Sequence, residues 1–372
     1  MANIGVTGNK GLLGWHLNAF LVHFPDINVI GADVETFSDK DRLLDFVSKC
    51  DVIVHFAGMN RGDDRLLYDT NVKITQDLID ACEKIAKTPH IIFSSSVHIS
   101  KGTAYGNSKL ECSKRLAAWA NKNGAIFTNL ILPNIFGEMG KPFYNSVIST
   151  FCCQIAKGEK PEILEDKDME ILHAQTLAAK IYSFLSEKKG GEFRIKGEIE
   201  RVSALLKLLL EIDSDYKNNL IPDLRIKMHL QLFNTYRSYL YPDHYPVKFS
   251  IITDSRGTLF ETIRSKTSGK SFVSTTKPGI SRGNHYHFSN FERFIVLRGK
   301  AHIAIRRLIS NEIKTFEVDG EKPCFIDIPT IHTHSLTNIG DKELLTLFWS
   351  GDIYKEGPMD TFPEDVNKGG IS

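Results

Sequence analysis

The chain has 372 residues, and its 46 basic and 45 acidic side chains leave a formal net charge of +1 at pH 7. This length predicts two domains, and a hydrophobic content of 42% is enough for both to bury a core. The balanced charge argues against nucleic acid or an anionic membrane surface as the main partner. The sequence shows no secretion signal and no apolar run of about 18 residues, so we expect a cytoplasmic protein with reduced cysteines, outside the membrane.

Strand-like and helix-like patterns alternate along the first half of the chain. The strands predicted from short apolar runs lie at residues 4–7, 28–32, 52–56 and 91–94. The helices predicted from amphipathic patterns lie at residues 12–24, 75–86 and 109–122. This alternation indicates an α/β domain with a Rossmann-type, doubly wound parallel sheet.

The pattern then changes to short β-type runs separated by Gly, Asn, Asp and Pro. Many short strands at regular spacing predict an all-β barrel or double-sheet jelly roll. The segment Tyr241–Pro246 contains two prolines, which stop any helix. We therefore expect one domain at residues 1–245 and a second at residues 246–372.

A glycine-rich loop joins the first predicted strand to the first predicted helix. Its spacing is G-x-x-G-x-x-G, in which Gly8 allows a tight turn, Gly11 lets the backbone approach a pyrophosphate and Gly14 allows close packing. The helix that follows offers backbone N–H groups to the phosphates. The cofactor contacts predicted in this loop are Gly8, Lys10, Gly11, Leu12 and Gly14.

Two charged residues give opposite indications for the adenosine ribose of the cofactor. Asp33 closes the second strand, about 20 residues further on, where a carboxylate binds the ribose, repels a 2′-phosphate and so favours NAD. Lys10 can pair with that phosphate and favours NADP. We expect NADP and keep NAD as the alternative.

Tyr105 and Lys109 are four residues apart and would share one face of a helix. A lysine there can lower the pKa of the tyrosine and hold the nicotinamide ribose. The tyrosine then acts as a general acid toward a carbonyl oxygen. The serines at residues 94–96 end a predicted strand, where a hydroxyl can bond the same oxygen.

With these three elements in this order, the first half resembles the extended short-chain dehydrogenase/reductase family, especially its members that act on nucleotide sugars. The resemblance implies that Ser96 is the catalytic serine, with Ser95 as the alternative. It implies further cofactor contacts at Ala57, Gly58, Lys109 and Pro133. It also matches Asn71 to the helix asparagine of the family and implies that Asn134 contacts the substrate. The sequence departs from the family pattern at residues 129–132, which lack its arginine, and at Gln175-Thr176, which replace its acidic pair.

The second half contains the two histidine motifs of the cupin family. Gly279, His285, His287, Glu292 and Gly299 match every fixed position of the first motif, and His334 with Asn338 matches the second, although Ile331 replaces its glycine. Alternate residues of a strand face the same side, so His285 and His287 would both point into the barrel. His285, His287, Glu292 and His334 suit Zn, Fe, Mn or Ni, and we expect zinc. His332 is a further ligand candidate, or an acid/base group.

Over nearly its full length the chain resembles the CapF-type enzymes of bacterial capsule and O-antigen synthesis. The segments that carry this resemblance lie at residues 141–147, 254–261 and 277–287. The resemblance implies a homodimer and a UDP-linked 4-keto-6-deoxyhexosamine substrate. The substrate contacts that it implies are Asn134, Lys141, Asn145, Arg256 and Arg282.

The same resemblance implies a bifunctional enzyme. The cupin would epimerise C3 of a UDP-2-acetamido-2,6-dideoxy-4-ketohexose, and the reductase would then reduce the C4 ketone to give a UDP-N-acetyl-6-deoxytalosamine-type sugar. Chemistry favours this order, because the ketone acidifies the proton at C3 and reduction removes that acidity.

The sequence does not identify the base of the epimerisation. It also leaves open two alternative functions for the chain. His285 aligns with the base of the metal-free deoxysugar 3,5-epimerases, but an imidazole bound to a metal cannot take a proton. Lys277 and His332 are then the candidate bases, and the metal can be structural. The first alternative function is a reductase whose cupin only dimerises or senses a ligand, and the second is a non-catalytic dinucleotide-binding regulator.

Overall fold

The computed structural model describes residues 2–248, 252–254, 257–259, 263–266, 270–351 and 360–368. The chain divides into an N-terminal unit, made of Met1–Thr150 and Glu162–Leu205, and a C-terminal unit, made of Phe151–Pro161 and Leu206–Ser372. The predicted domain boundary at residue 245 concerns which parts of the chain fold on their own, and it stays a prediction.

The N-terminal unit is built on a parallel sheet. Its strands are β1 (Ala2–Thr7), β2 (Ile27–Ala32), β3 (Val52–His55), β4 (His90–Ser96), β5 (Phe127–Leu132), β6 (Asn134–Phe136), β7 (Asp168–His173), β8 (Gly191–Arg194) and β9 (Glu198–Arg201). Six of them form a sheet in the order β2-β1-β3-β4-β5-β8, with every neighbouring pair parallel. The remaining three form the small sheet β6-β7-β9. The predicted Rossmann-type fold is confirmed.

Helices cover both faces of this sheet. The helices of the chain are α1 (Leu12–Leu21), α2 (Val34–Ser38), α3 (Lys40–Lys49), α4 (Asp64–Lys84), α5 (Ala104–Asn123), α6 (Val147–Ala156), α7 (Ala174–Glu187), α8 (Val202–Lys217) and α9 (Lys227–Leu240), with a short 3-10 helix at Val97–Ser100. One buried cluster joins α3, α4 and α5 to one face, and another joins α1 and α7 to the opposite face. None of the helices in the described part of the chain is long and apolar enough to cross a membrane.

The strand order places a candidate ligand crevice at one point of the sheet. The chain passes from β1 to β2 on one side and then crosses back to β3 on the other side of β1, so the strand order reverses at β1. In open α/β sheets, ligands bind outside the carboxyl ends of the strands at such a point. The glycine loop, which follows β1, opens into this crevice.

The C-terminal unit is mainly antiparallel. Its strands are β10 (Leu220–Ile221), β11 (Val247–Lys248), β12 (Ile252–Asp254), β13 (Gly257–Leu259), β14 (Arg264–Ser265), β15 (Lys270–Thr276), β16 (Ser281–Tyr286), β17 (Glu292–Arg298), β18 (Lys300–Arg307), β19 (Ile313–Asp319), β20 (Cys324–Ile328), β21 (His332–Asn338), β22 (Leu344–Ser350) and β23 (Phe362–Pro363). Two five-stranded sheets have the orders β11-β20-β17-β22-β15 and β19-β18-β21-β16-β23. Apolar residues from both sheets form one buried cluster. The predicted all-β cupin-type domain is confirmed.

A buried polar cluster fastens the helical segment before residue 245 to these strands. Arg293 on β17 donates two hydrogen bonds to Asp327 on β20, at 2.8 and 3.1 Å. Tyr216 on α8 donates its hydroxyl proton to the same carboxylate and lies 2.8 Å from the hydroxyl of Tyr245. Arg293 and Asp327 are 1% and 0% exposed, so the Tyr216 hydroxyl supplies a hydrogen bond to this ion pair where water does not reach it. Residues 206–245 therefore complete the core of the C-terminal unit.

Candidate active site and metal centre

A cavity of about 710 Å³ lies in the N-terminal unit, at the carboxyl ends of β1, β3 and β4. It brings together segments that are far apart in sequence: the glycine loop, the loop after β3, the end of β4 and the stretch at 132–146. The predicted site residues that line it are Gly8, Lys10, Gly11, Leu12, Gly14, Ala57, Gly58, Ser96, Tyr105, Pro133, Asn134, Lys141 and Asn145. Asp33 and Lys109, which were also predicted, lie outside this lining.

The glycine loop has the shape that a pyrophosphate requires. Gly8 has a φ of +66°, which side chains disfavour. A Cβ on Gly14 would lie 2.4 Å from the carbonyl oxygen of Gly8, so only glycine fits there. Gly11 precedes α1 and brings no side chain to cap its first N–H groups. These residues fit a dinucleotide, with its phosphates at the start of α1.

Thr7 ties the ends of β1 and β3 together beside this loop. Its buried hydroxyl oxygen accepts hydrogen bonds from the backbone N–H groups of Phe56 and Ala57, both at 3.1 Å. The Thr7 hydroxyl therefore donates its own proton to Nδ1 of His55, at 2.8 Å. Burial lowers the pKa of His55 to about 3, with the charge of Lys109 acting in the same direction, so the imidazole is neutral and able to accept this proton. These hydrogen bonds hold the ends of β1 and β3 together, and none of them involves a charged side chain.

Asn71 on α4 plays a similar part in the loop that follows β3. Its side-chain oxygen accepts from the N–H of Met59 at 2.6 Å, and its amide group donates to the Met59 carbonyl at 2.7 Å. The amide group also lies 3.0 Å from the hydroxyl of Ser108 on α5. A Cβ on Gly58 would lie 2.9 Å from the Asn71 oxygen. The loop is therefore held against the helix that carries Tyr105.

Tyr105 and Lys109 lie one turn apart on α5. Burial raises the pKa of Tyr105 to about 12, while its interaction with the Ser96 hydroxyl acts in the opposite direction. Burial also lowers the pKa of Lys109 to about 8. The Nζ of Lys109 lies 5.9 Å from the centre of the Tyr105 ring. Burial thus outweighs the expected lowering of the tyrosine pKa, and Tyr105 keeps its proton at neutral pH, as a general acid must.

Lys10 and Asp33 form one ion pair, with Nζ and Oδ2 2.6 Å apart. Asp33 also caps α2, because its carboxylate accepts from the N–H groups of Glu35 at 3.0 Å and Thr36 at 3.3 Å. The hydrogen bond with Lys10 lowers the pKa of Asp33, so this carboxylate is ionised. The two residues that gave opposite indications for the cofactor are direct partners.

A buried triad of Glu138, His16 and His173 supports the cavity wall. His173 Nε2 lies 3.1 Å from the Glu138 carboxylate, and His16 Nε2 lies 2.8 Å from the Glu138 carbonyl oxygen. Burial works to raise the pKa of Glu138, but the two histidines lower it to about 2. The triad joins α1 and β7 to the loop that begins at Met139, which lines the cavity.

The second candidate site is a cluster of His285, His287, Glu292 and His334 in the C-terminal unit. The Nε2 atoms lie 3.8, 3.4 and 3.1 Å from one carboxylate oxygen of Glu292, for His285, His287 and His334 respectively. One potential ligand atom from each residue lies within 4.8 Å of the others. His285 is the most exposed, with 26% of its side chain accessible, while the other three are buried.

The chemistry of this cluster fits a metal ion. Nε2 of His287, Nε2 of His334 and Oε2 of Glu292 are buried and make no hydrogen bond, although they lie close together. They point toward a shared space, where a divalent cation would satisfy all three. Burial works to raise the pKa of Glu292, but the surrounding imidazoles hold it below its usual range. An ionised carboxylate with three imidazoles is a donor set suited to zinc and other divalent transition metals.

The remaining predicted residues of this unit lie in different environments. Lys277 is exposed. His332 is buried, with its Nδ1 atom 2.8 Å from the carbonyl oxygen of Thr330. Arg282 donates to the Thr276 hydroxyl at 3.1 Å and to the Thr275 carbonyl at 3.0 Å, so its guanidinium ties β16 to β15. Arg256 lies outside the described residues.

Comparison with known sequences agrees with both halves of this description. The sequence pattern of the NAD dependent epimerase/dehydratase family matches residues 4–195, just over half of the chain. The chain belongs to the NAD dependent epimerase/dehydratase family. The pattern named Polysaccharide biosynthesis C-terminal domain matches residues 252–362.

Two relatives match this family member over almost their entire lengths. The solved structure of the capsular polysaccharide assembling protein CapF from Staphylococcus aureus is 30% identical, with a TM-score of 0.64, and the match covers 98% of this chain and all of that one. The curated UDP-2-acetamido-2,6-beta-L-arabino-hexul-4-ose reductase of Pseudomonas aeruginosa is 26% identical over 369 residues, covering 98% of this chain and 99% of the relative. The predicted resemblance to CapF-type enzymes is confirmed.

The departures from the family pattern have local structural roles. Asn129, in the segment that lacks the arginine, donates to the Glu192 carboxylate at 2.8 Å. Gln175, at the place of the acidic pair, lies with its amide nitrogen 3.4 Å from the carbonyl oxygen of His16. Both side chains hold elements of the family fold together.

Several cavity residues were missed by the sequence analysis. His98 faces the ring of Tyr105 edge-on, with ring centres 6.1 Å apart, and lines the cavity with Met139 and Tyr144. His98 could have been suspected, because it lies between the serine strand and Tyr105. Met139 has a φ of +71°, which no sequence signal indicates. Arg61 anchors this loop by donating to the carbonyl oxygens of Phe143 and Tyr144, at 2.8 and 3.1 Å.

Proposed function

We propose that the N-terminal unit reduces the C4 ketone of a UDP-linked 4-keto-6-deoxyhexosamine in bacterial surface polysaccharide synthesis. The observation that carries this proposal is the convergence of Tyr105 and Ser96 on the cavity that the glycine loop opens into. A nucleotide-binding loop beside a half-buried, protonated phenol is the arrangement that carbonyl reduction needs. The Pseudomonas aeruginosa relative is named as a reductase of this class of UDP-linked keto sugar, which supports the choice of substrate.

In this reaction the glycine loop would hold NAD(P)H, which would supply the hydride. Ser96 and Tyr105 would bind the ketone oxygen through their hydroxyl groups, and Tyr105 would give its proton to that oxygen as charge develops. The buried cation of Lys109 favours the transient tyrosinate and so lowers the barrier to this transfer. Asn134, Lys141 and Asn145 line the same cavity and are proposed to hold the nucleotide sugar.

For the C-terminal unit we propose epimerisation at C3 of the same 4-keto sugar, before the reduction. The C4 ketone makes the C3 proton acidic, so a base removes it from one face, and a second group or a water molecule then gives a proton to the opposite face of the resulting enolate. No oxidant or reductant is consumed. A cation held by His285, His287, Glu292 and His334 would supply Lewis acidity beside the enolate oxygen.

His332 is the proposed base of this epimerisation. Its Nδ1 atom faces a carbonyl oxygen, which can only accept, so Nδ1 carries the hydrogen and Nε2 is the basic nitrogen. His332 and His334 are two residues apart on β21 and so share one face of the strand. The exposure of Lys277 makes it the weaker candidate.

NADP is the proposed cofactor, because the ammonium group of Lys10 stands beside Asp33 and offsets its repulsion of a 2′-phosphate. The product would be a UDP-N-acetyl-6-deoxytalosamine-type sugar. We also propose a cytoplasmic homodimer, as the resemblance to CapF-type enzymes implies.

Incubation with UDP-2-acetamido-2,6-dideoxy-4-ketohexoses and NADPH tests the reductase half. We expect loss of NADPH absorbance and a reduced UDP-sugar with the wild type. With Tyr105→Phe we expect a rate lower by about 100-fold or more. His302→Gln, which changes a histidine on β18 outside both sites, is the control. Equal turnover by wild type and Tyr105→Phe would contradict the proposal and favour a non-catalytic, dinucleotide-binding role.

A further inference from the structure

Residues 360–368 lie against the strands that carry the metal-site histidines. β23 pairs with β16, placing Pro363 opposite His285 and Phe362 opposite Tyr286. The rings of Phe362 and Tyr286 stack with centres 5.5 Å apart. The backbone N–H of Glu364 donates to the carbonyl oxygen of Asn284 at 2.8 Å. These contacts place Asp360, just before β23, beside the turn that leaves β16.

The carboxylate of Asp360 organises this turn. It accepts hydrogen bonds from the backbone N–H groups of Phe288 at 2.9 Å, Ser289 at 2.8 Å and Asn290 at 2.9 Å. It also accepts from the hydroxyl of Ser289 at 2.7 Å. Hydrogen bonds to an ionised carboxylate are among the stronger ones in proteins. The turn that they fix is the link between His287 and Glu292, two of the four proposed metal ligands.

The backbone of Asp360 contacts one of these ligands directly. Its carbonyl oxygen accepts a hydrogen bond from Nδ1 of His287. A carbonyl oxygen can only accept, so Nδ1 carries the hydrogen and the lone pair of the neutral ring lies on Nε2. Nε2 is the atom that lies 3.4 Å from the Glu292 carboxylate.

We infer that Asp360 is a positioning residue for the metal centre. Its carboxylate sets the path of the chain between His287 and Glu292, and its carbonyl fixes the tautomer and orientation of the His287 ring. Removing a hydrogen-bond partner of this kind from a metal-binding histidine typically weakens metal binding by about 10- to 100-fold. The inference rests on the metal binding proposed above.

Competition between the full-length protein and a chromophoric chelator for Zn²⁺ tests it. We expect Asp360→Ala to weaken Zn²⁺ binding by roughly 10- to 100-fold. Asp360→Asn keeps an amide oxygen that can accept some of the same hydrogen bonds, so we expect an intermediate loss. The matched control is Asp365→Asn, whose carboxylate accepts from the N–H of Asn367 in the same tail; its Zn²⁺ affinity should equal that of the wild type.

Thermal unfolding of the metal-free proteins separates positioning from general stability. We expect metal-free Asp360→Asn to unfold within a few degrees of metal-free wild type while its Zn²⁺ affinity is reduced. Wild-type affinity in both Asp360 variants would overturn the inference and leave the metal site intact. Absence of Zn²⁺ binding by the wild type would instead refute the metal site itself, and with it any positioning role. If Asp360→Ala does not fold, Asp360→Asn decides the question alone.

Discussion

The ammonium nitrogen of Lys10 lies 2.6 Å from a carboxylate oxygen of Asp33, at the edge of the crevice where an adenosine ribose would bind. Each residue alone indicates a different cofactor, since the carboxylate repels a 2′-phosphate and the ammonium attracts it. As partners, they leave the local charge close to neutral. Selectivity between NADPH and NADH should therefore depend on the pair.

Replacing Lys10 with methionine should shift this selectivity toward NADH. The unpaired Asp33 carboxylate would repel the 2′-phosphate, so we expect the Kd of NADPH to rise roughly fivefold, the scale of an exposed ion pair. The Kd of NADH should change much less. Titration calorimetry with each cofactor measures both values, with Lys49→Met, which removes an exposed lysine on α3, as the control. Equal changes for the two cofactors would argue against this role of the pair.

The pH dependence of the reductase step should reflect Lys109, whose pKa burial lowers to about 8. Activity should fall as the pH rises through this value, because Lys109 loses the charge that favours the tyrosinate. Stability should move in the opposite direction. Between about pH 8 and the ordinary lysine pKa of 10.5 the unfolded chain holds more protons at this position than the native protein, so the free energy of unfolding rises with pH.

The rate of NADPH oxidation and the free energy of unfolding, each followed from pH 7 to 10, distinguish these effects. Lys109→Arg keeps its charge over this range and should abolish the fall of activity near pH 8. A fall that persists in Lys109→Arg would mean that another group controls the reaction.

Loss of one proposed ligand should release the metal. We expect purified wild type to carry about one divalent ion per chain and His287→Ala to carry almost none, because three ligands hold a transition metal more weakly than four. Elemental mass spectrometry measures the content. His302→Ala, which removes a histidine of β18, should keep the wild-type content. Equal metal content in His287→Ala would show that the ion is held elsewhere.

The ion pair of Asp327 and Arg293 should be critical for stability of the C-terminal unit. Asp327→Ala leaves the buried Arg293 guanidinium without its carboxylate, and removing one partner of such a pair costs about 3–5 kcal/mol. Denaturant unfolding should show this loss, whereas Asp319→Ala, at a more exposed aspartate of β19, should leave the midpoint almost unchanged. Similar midpoints for both variants would contradict the account of this core.

Local sequence features were enough to predict the parts of the fold that depend on neighbouring residues. The glycine loop, the Tyr105/Lys109 pair and the β16 histidines each lie within one short segment, so spacing alone indicates them. Helix starts were harder to place: the helix predicted from residue 75 is α4, which begins at Asp64, capped by Asp63, about three turns earlier.

Contacts between distant segments could not be predicted in this way. Glu138 meets His16 across 122 residues, and Tyr216 meets Asp327 across 111 residues. No periodicity marks such pairs, because their proximity is a product of the tertiary fold. For the same reason the ion pair of Lys10 and Asp33 appeared in the sequence as two conflicting signals.

Exchange of the C3 proton tests the central claim, that one chain carries out epimerisation and reduction at separate sites. A UDP-2-acetamido-2,6-dideoxy-4-ketohexose is incubated in D₂O without NAD(P)H, and deuterium at C3 is measured by NMR. We predict incorporation with wild type and with Tyr105→Phe, and little or none with His332→Gln. Absence of deuterium at C3 with the wild type would contradict the account, and would leave a reductase whose second domain serves only to dimerise or to sense a ligand.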